Sequence, residues 1–261
     1  MRAIASAKIL SEKIGSSLEV AWFLDSHFFA KFSDLFEPIE NVKVSNYGLE
    51  NPILKRIQLL KFFKSRFSII EFLTKRKYDV IFSQQEMISN ALDEDSIYDL
   101  SGKRVLLKSY AKFYNSPSLS FTFFQPIMLL EEIINSKARD FDEYTVGVHV
   151  RRNDNKKSIS HSTDELFFKE IDCRIEKQSD FNFFLATDCP ETESLFINRY
   201  GARVHVFKKE NSCSTPQFIQ CSVIDLYLLS RTKEIIGSYW SSFSRTAAEI
   251  GNIPIFIVGK D

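Results

Sequence analysis

Nine short runs of β-branched and aromatic residues punctuate the chain, and helical patterns fill most of the gaps between them. The runs are 19–25, 42–47, 78–83, 103–110, 144–152, 181–188, 202–208, 233–239 and 253–258. The helical stretches are 52–73, 126–137, 164–177, 191–200, 217–231 and 242–250. Such alternation predicts an α/β chain with parallel sheets covered by helices on both faces. Nine strands exceed what one small doubly wound unit uses. Two Rossmann-like halves are therefore expected, residues 1–140 and 141–261, with the boundary inside 136–144. No internal repeat is visible.

Charge narrows the partners. Lys+Arg and Asp+Glu both number 34 in 261 residues, and a zero balance argues against a dedicated nucleic-acid binder. No segment offers the ~20 apolar residues that span a bilayer. The start, MRAIASAKILSEKIG, lacks the apolar run and cleavage site of a signal peptide. Cys173, Cys189, Cys213 and Cys221 form no C-x-x-C pair, which argues against a zinc site. A cytoplasmic protein with reduced thiols is expected. The 25 Phe imply an aromatic-rich core and say little about chemistry.

At the N-terminus, Ala3, Ala7, Leu10 and Ile14 form an apolar stripe at helical spacing, closed by Gly15. No strand precedes this helix, although a doubly wound half normally opens on a buried one. A first strand and turn missing upstream is the favoured reading, and a fold that begins with a helix is the other.

Three strand ends carry polar chemistry. Gly147-Val148-His149-Val150-Arg151-Arg152-Asn153-Asp154 leaves an apolar strand for the polar loop NKKSISHS. In open α/β sheets ligands bind at the carboxyl ends of strands, and arginine forks there suit phosphate oxygens. Alternation puts His149 and Arg151 on one face and Arg152 on the other. One arginine then binds ligand while the other pairs with Asp154 or another carboxylate; a purely structural Arg–Asp pair is the competing reading. Asp188 ends the second run, Leu185-Ala186-Thr187-Asp188, as a helix cap or as part of the same site. The third, Gly237-Ser238-Tyr239-Trp240-Ser241-Ser242-Phe243-Ser244-Arg245, enters a helix whose first amides suit an anion, with Ser241 as cap or ligand. Asp225 interrupts an apolar helix face, either as the buried partner of an arginine or as a base-reading carboxylate. Neither a dinucleotide fingerprint nor a P-loop is present. Asp93-Glu94-Asp95 follows a helix-like stretch and reads as an acidic loop, and Ser162-Thr163-Asp164-Glu165 reads as a capping box.

The ordered series H-V-R-R-x-D, L-A-T-D, D-x-x-x-L-S and the serine-rich turn before Arg245 resembles the GDP-fucose-dependent fucosyltransferases of the bacterial nodulation, core α1,6 and protein O-fucosyl types. The resemblance covers residues 144–258. Family members also carry a glycine-rich turn, G-G-L-G-N-R-L/M-R-A, whose tail Met1-Arg2-Ala3 matches. The resemblance implies a GT-B fold of two facing Rossmann-like domains, with the acceptor handled by the first and the donor by the second. It implies an inverting, metal-independent transfer of fucose to a glycan hydroxyl, with no cofactor. By the same resemblance Arg151 and Asp154 are the catalytic residues. His149, Arg151, Arg152, Asp188, Asp225, Ser241 and Ser242 bind or organise the donor, with His149 and Asp225 at the guanine and the serines at the phosphates. The general base stays unassigned between Asp154 and His161. Another nucleotide sugar on the same fold, or a non-catalytic nucleotide-binding remnant, are the alternatives.

Residues 53–77 hold Lys55, Arg56, Lys61, Lys64, Arg66, Lys75, Arg76 and Lys77 against Glu71, beside aromatic and aliphatic bulk. That suits an interfacial helix at the inner membrane face, where a lipid-linked glycan acceptor would be met. The competing and favoured reading is a core helix with a solvated basic face.

Overall fold

The computed structural model describes residues 1–24, 28–47, 77–83, 99–114, 121–153, 155–209 and 216–259. Its contacts divide the chain into two compact units, Met1–Gln125 and Pro126–Asp261.

In the first unit, helix α1 (Arg2–Lys13) is followed by strands β1 (Leu18–Phe23) and β2 (Val42–Tyr47), which pair in parallel; β3 (Val80–Phe82) and β4 (Val105–Leu107) form a second parallel pair. The N-terminal stripe does fold as a helix. Ile9 and Leu10 are buried, with Ala3, Ala7 and Ile14 against the same cluster, which takes in Val80, Phe82, Val105 and Leu107 of β3 and β4. The buried Ser6 hydroxyl accepts hydrogen bonds from the Phe113 and Tyr114 amides at 3.2 and 3.4 Å, tying α1 to the chain beyond β4.

The second unit is built on one parallel sheet of five strands. These are β5 (Thr145–Val150), β6 (Asn182–Thr187), β7 (Val204–Val206), β8 (Ile235–Ser238) and β9 (Ile255–Val258), ordered β7-β6-β5-β8-β9. Every residue of β5 is buried, as expected of a central strand covered on both faces. Its helices are α2 (Met128–Ala138), α3 (Lys156–His161), α4 (Asp164–Lys177), α5 (Pro190–Tyr200), α6 (Pro216–Ser230) and α7 (Ser242–Gly251). On one face Val146, Val148 and Val150 join Phe167 and Ile171 of α4 and Phe196 of α5 in a single core. On the other face α6 comes so close that a Cβ on Gly147 would lie 2.9 Å from the Leu229 side chain. Glycine is what allows that approach.

All nine strands expected from the sequence are present, each within a few residues of its expected bounds. Three readings change. The division falls ahead of α2 rather than within 136–144, because α2 buries Leu130 and Ile134 and packs against α6 of the second unit. The stretch NKKSISHS is not a loop. Asn155 caps it by accepting from the Ser158 amide at 3.1 Å, and α3 results. Nor is Ser162 a capping-box residue: its hydroxyl donates to the Val258 carbonyl at 2.7 Å and accepts from the Tyr239 amide at 2.8 Å. The helical stretch 52–73, almost all of the basic segment 53–77, Asp93-Glu94-Asp95 and Asp154 lie outside the described residues.

Candidate functional site

Strand order reverses at β5. The chain crosses from β5 to β6 and on to β7 on one side, then returns from β7 to β8 on the other, so the carboxyl ends of β5 and β8 flank a topological switch point. That is where open α/β sheets bind ligands. His149, Arg151, Arg152, Ser241 and Ser242 all lie on those two strand ends or just beyond, and Asp188 ends the neighbouring β6.

The two arginines part company there. Arg152 is anchored on the α4 side. Its guanidinium donates to Asp164 from Nε at 3.1 Å and from Nη2, and Nη1 donates to the Arg151 carbonyl at 2.9 Å. It also lies 5.9 Å from the centre of the Phe167 ring. Of the carboxylates the sequence left open, Asp154 or another, Asp164 is the one that meets Arg152 among the described residues. Arg151 is one-third exposed and pairs with Asp188 at 3.2 Å. Its amide donates to the Ser238 hydroxyl at 2.9 Å, which in turn donates to the His149 carbonyl at 3.1 Å. This stitches the end of β5 to the end of β8.

Asp188 caps no helix. Cys189 is the N-cap of α5, and Pro190 occupies its first turn. The Asp188 carboxylate instead accepts from the Arg152 and Asn153 amides at 2.8 and 3.3 Å, besides pairing with Arg151. It holds the turn that follows β5.

His149 is buried, and its ring stacks on Phe243 of α7 with centroids 4.9 Å apart. Among the described residues its Nδ1 finds no hydrogen-bond partner. Burial first, then the charges of Arg151, Lys209 and Arg152, push its pKa down to about 3. It is a neutral imidazole at any physiological pH. Asp225 is also buried, on α6. Its partner is not an arginine but Lys209, just beyond β7, with Nζ 2.7 Å from Oδ2. Burial raises the Asp225 pKa to about 6, against the lowering pull of that ammonium. Lys209 also donates to the Thr187 carbonyl at 2.8 Å. The sequence reading missed it, although it occupies the strand end of β7 just as Arg151 occupies that of β5.

At the third strand end, Ser241 is the N-cap of α7 and accepts from the Phe243 amide at 3.3 Å, while Ser242 is exposed. Gly237 lets α7 settle on β8: a Cβ there would sit 2.7 Å from the Ser244 hydroxyl oxygen. Trp240 has φ of 55° and is 57% exposed. Asn155 donates to its carbonyl at 3.0 Å, and the Lys157 ammonium lies 3.9 Å above its ring. His161 stacks near Tyr239 at 5.1 Å, and its Nδ1 lies 2.9 Å from the Lys157 carbonyl.

The edge therefore presents guanidinium and ammonium groups from Arg151 and Lys209, a capped helix N-terminus and two buried polar side chains. Such a set suits an anionic ligand carrying a flat polar group. A depression of about 540 Å³ lies away from it, against the α4 residues Lys169, Asp172 and Glu176 and Arg199 of α5. Its lining alternates in charge and includes none of the strand-end residues.

No sequence-family profile matches the chain, and no curated protein does. Solved structures do. The NodZ alpha-1,6-fucosyltransferase soaked with GDP-fucose superposes with a TM-score of 0.60 at 19% identity, over 94% of this chain and 86% of that one. NodZ from Bradyrhizobium gives 0.57 at 18% identity, covering 93% and 85% of the two chains. POFUT1 in complex with GDP gives 0.55 at 12% identity, over 99% of this chain and 94% of that one. The chain has the fucosyltransferase fold. The α/β, GT-B expectation holds at the level of fold class. Within the fucosyltransferase fold, the ordered strand-end motifs of this sequence gather at one edge of one sheet.

Proposed function

We propose that the chain is a GDP-fucose-dependent fucosyltransferase that moves fucose to a glycan hydroxyl. One observation carries the reading. His149–Arg152, Asp188, Asp225 and Ser241–Ser242, scattered over the second half of the sequence, converge on the carboxyl edge of the five-stranded sheet. The likeness to structures solved with GDP or GDP-fucose supports the donor.

In this reading Arg151 faces the leaving diphosphate, and its fork stabilises the charge that develops as the glycosidic bond breaks. The α7 amides and the Ser241 and Ser242 hydroxyls take the phosphate oxygens. Asp225 accepts from the N1–H and amino group of guanine, with neutral His149 beside it. Arg152 and Asp188 hold the turn that aims Arg151. Attack by the acceptor from the opposite face inverts the anomeric carbon. Guanidinium charge takes the place of a metal, so no cofactor is needed. The acceptor is a glycan, and a lipid-linked one would be met at the inner membrane face. Among the described residues no helix is long and apolar enough to cross a membrane.

Calorimetry in EDTA, comparing GDP-fucose, GDP and UDP-sugars, tests the reading. GDP and GDP-fucose are expected to bind and UDP-sugars not to. Equal affinity for GDP and UDP overturns the guanine assignment, and binding only with added manganese overturns metal independence.

A further inference from the structure

Asp225 is an expensive residue to bury. It lies on the most apolar helix of the second unit, among Ile224, Leu226, Leu228 and Leu229, all buried. A neutral acid would cost least there, yet a neutral acid cannot accept two hydrogen bonds from a purine edge. Lys209 resolves this. Its ammonium sits 2.7 Å from Oδ2 of Asp225 and 2.8 Å from the Thr187 carbonyl at the end of β6. That second bond pins the lysine to the strand end next to the turn held by Asp188. Both β6 and β7 thus fix the position from which Asp225 is addressed.

We propose that Lys209 is a positioning residue of the nucleotide site: anchored on β6, its ammonium keeps Asp225 ionised and oriented to receive the donor's base. The inference rests on the GDP reading above and extends it to a residue outside its motifs. Among the described residues, the charges acting on Asp225 are Lys209 beyond β7, which favours the carboxylate, and Glu193 on α5, which opposes it. The neutral His149 on β5 feels the same lysine. Removing the ammonium leaves burial and Glu193 in control, and Asp225 then takes up a proton at neutral pH.

The test uses the full chain with ¹³C-labelled aspartate carboxyls, the Asp225 signal being assigned through Asp225→Asn. Without nucleotide, the Asp225 midpoint is expected at about 6 in the native chain. It should rise by at least about one pH unit in Lys209→Met. GDP calorimetry from pH 5.5 to 8.5 should then show Lys209→Met about twofold weaker at pH 7, approaching tenfold at the acid end and recovering at the alkaline end, one pH unit of midpoint being tenfold in protonation well below both midpoints. Lys209→Arg should behave as the native chain. An unshifted Asp225 midpoint overturns the proposal, and so does a loss of affinity that is the same at every pH. Failure of the native chain to bind GDP defeats the donor reading. GDP binding with superimposable pH profiles defeats the role of Lys209 alone.

Discussion

The two sides of strand β5 use charge in opposite ways. On the α4 side, Arg152 is enclosed by Asp164, the Arg151 carbonyl and the Phe167 ring, its side chain 11% exposed. On the side of α6 and α7 lie a buried imidazole whose Nδ1 has no partner among the described residues, a buried carboxylate with a raised pKa, and, at the strand end, the more exposed Arg151. The first side is arranged as a fold would arrange itself for stability. The second carries burial costs that Lys209 offsets only in part, and such perturbed groups mark the side where the proposed reading puts the ligand. Two arginines adjacent in sequence therefore divide: Arg152 is held within the fold, and Arg151 is the one that meets the ligand in the proposed reading, because a strand turns successive residues to opposite faces.

The largest effect expected from breaking this comparison is on turnover. Arg151→Ala should lower fucose transfer about 10²–10³-fold, the cost of losing one donor to developing charge. Its fold should be nearly unchanged, since a partly exposed pair like Arg151–Asp188 is worth at most about 1 kcal/mol. Arg151→Lys should rescue poorly, an ammonium having no fork. Steady-state rates beside urea denaturation measure both. Near-native turnover in Arg151→Ala would make that arginine structural too.

The neighbouring substitution should invert the pattern. Arg152→Ala leaves Asp164 half-buried without its partner, and the expected loss is about 3 kcal/mol of stability, the low end for a buried pair. Activity should fall with it, because the turn after β5 loses one of its ties. Asp164→Asn should lose less, a neutral amide oxygen still accepting from Arg152. Urea midpoints unchanged in Arg152→Ala would erase the contrast between the two sides.

How much of this the sequence showed depends on how local each cause is. Strands were legible because β-branched and aromatic runs bounded by polar turns are local signals, and β2 and α4 match their expected ranges residue for residue. The alternation of Arg151 and Arg152 was legible for the same reason. Partners were not. Asp164 sits beside Arg152 only once α4 docks on β5, and the sequence offers Asp154 just as readily. Helix α3 was hidden because six residues rich in serine and lysine carry no periodicity, and one side chain, Asn155, starts it. Ser162 was misread because two backbone groups, from Val258 and Tyr239, compete for its hydroxyl with the helix it precedes. Lys209 had a signal. The rule that strand ends carry the chemistry was applied to β5, β6 and β8 and not to β7, whose run ends at Lys208 with Lys209 next.

The effect that is smallest near neutral pH sharpens the comparison as pH falls. His149 has a folded pKa of about 3 against an ordinary 6.5, so the unfolded chain takes up its proton first as pH falls. Its contribution to stability is complete above pH 6.5 and is lost on the way down to about 3, at about 1.4 kcal/mol per pH unit. Asp225 works in the other direction. Its folded pKa of about 6 lies above the ordinary 3.8, so the folded chain keeps a proton that the unfolded chain has released. Stability from this group falls as pH rises from about 4 to about 6, with the same slope. Across that window the two buried groups cancel, and the native chain hides both. Replacing His149 by Phe preserves an aromatic ring against Phe243 and removes the titration. The stability of His149→Phe relative to the native chain should therefore rise by about 1.4 kcal/mol for each pH unit below 6.5, down to about 3. Urea denaturation of both chains at pH 4, 5, 6 and 7 measures this difference, and every other titrating group drops out of it. A difference that stays flat with pH would mean that His149 protonates as easily folded as unfolded. The α6–α7 side of β5 would then carry no imidazole held neutral by burial, and the contrast with the α4 side would rest on Asp225 alone.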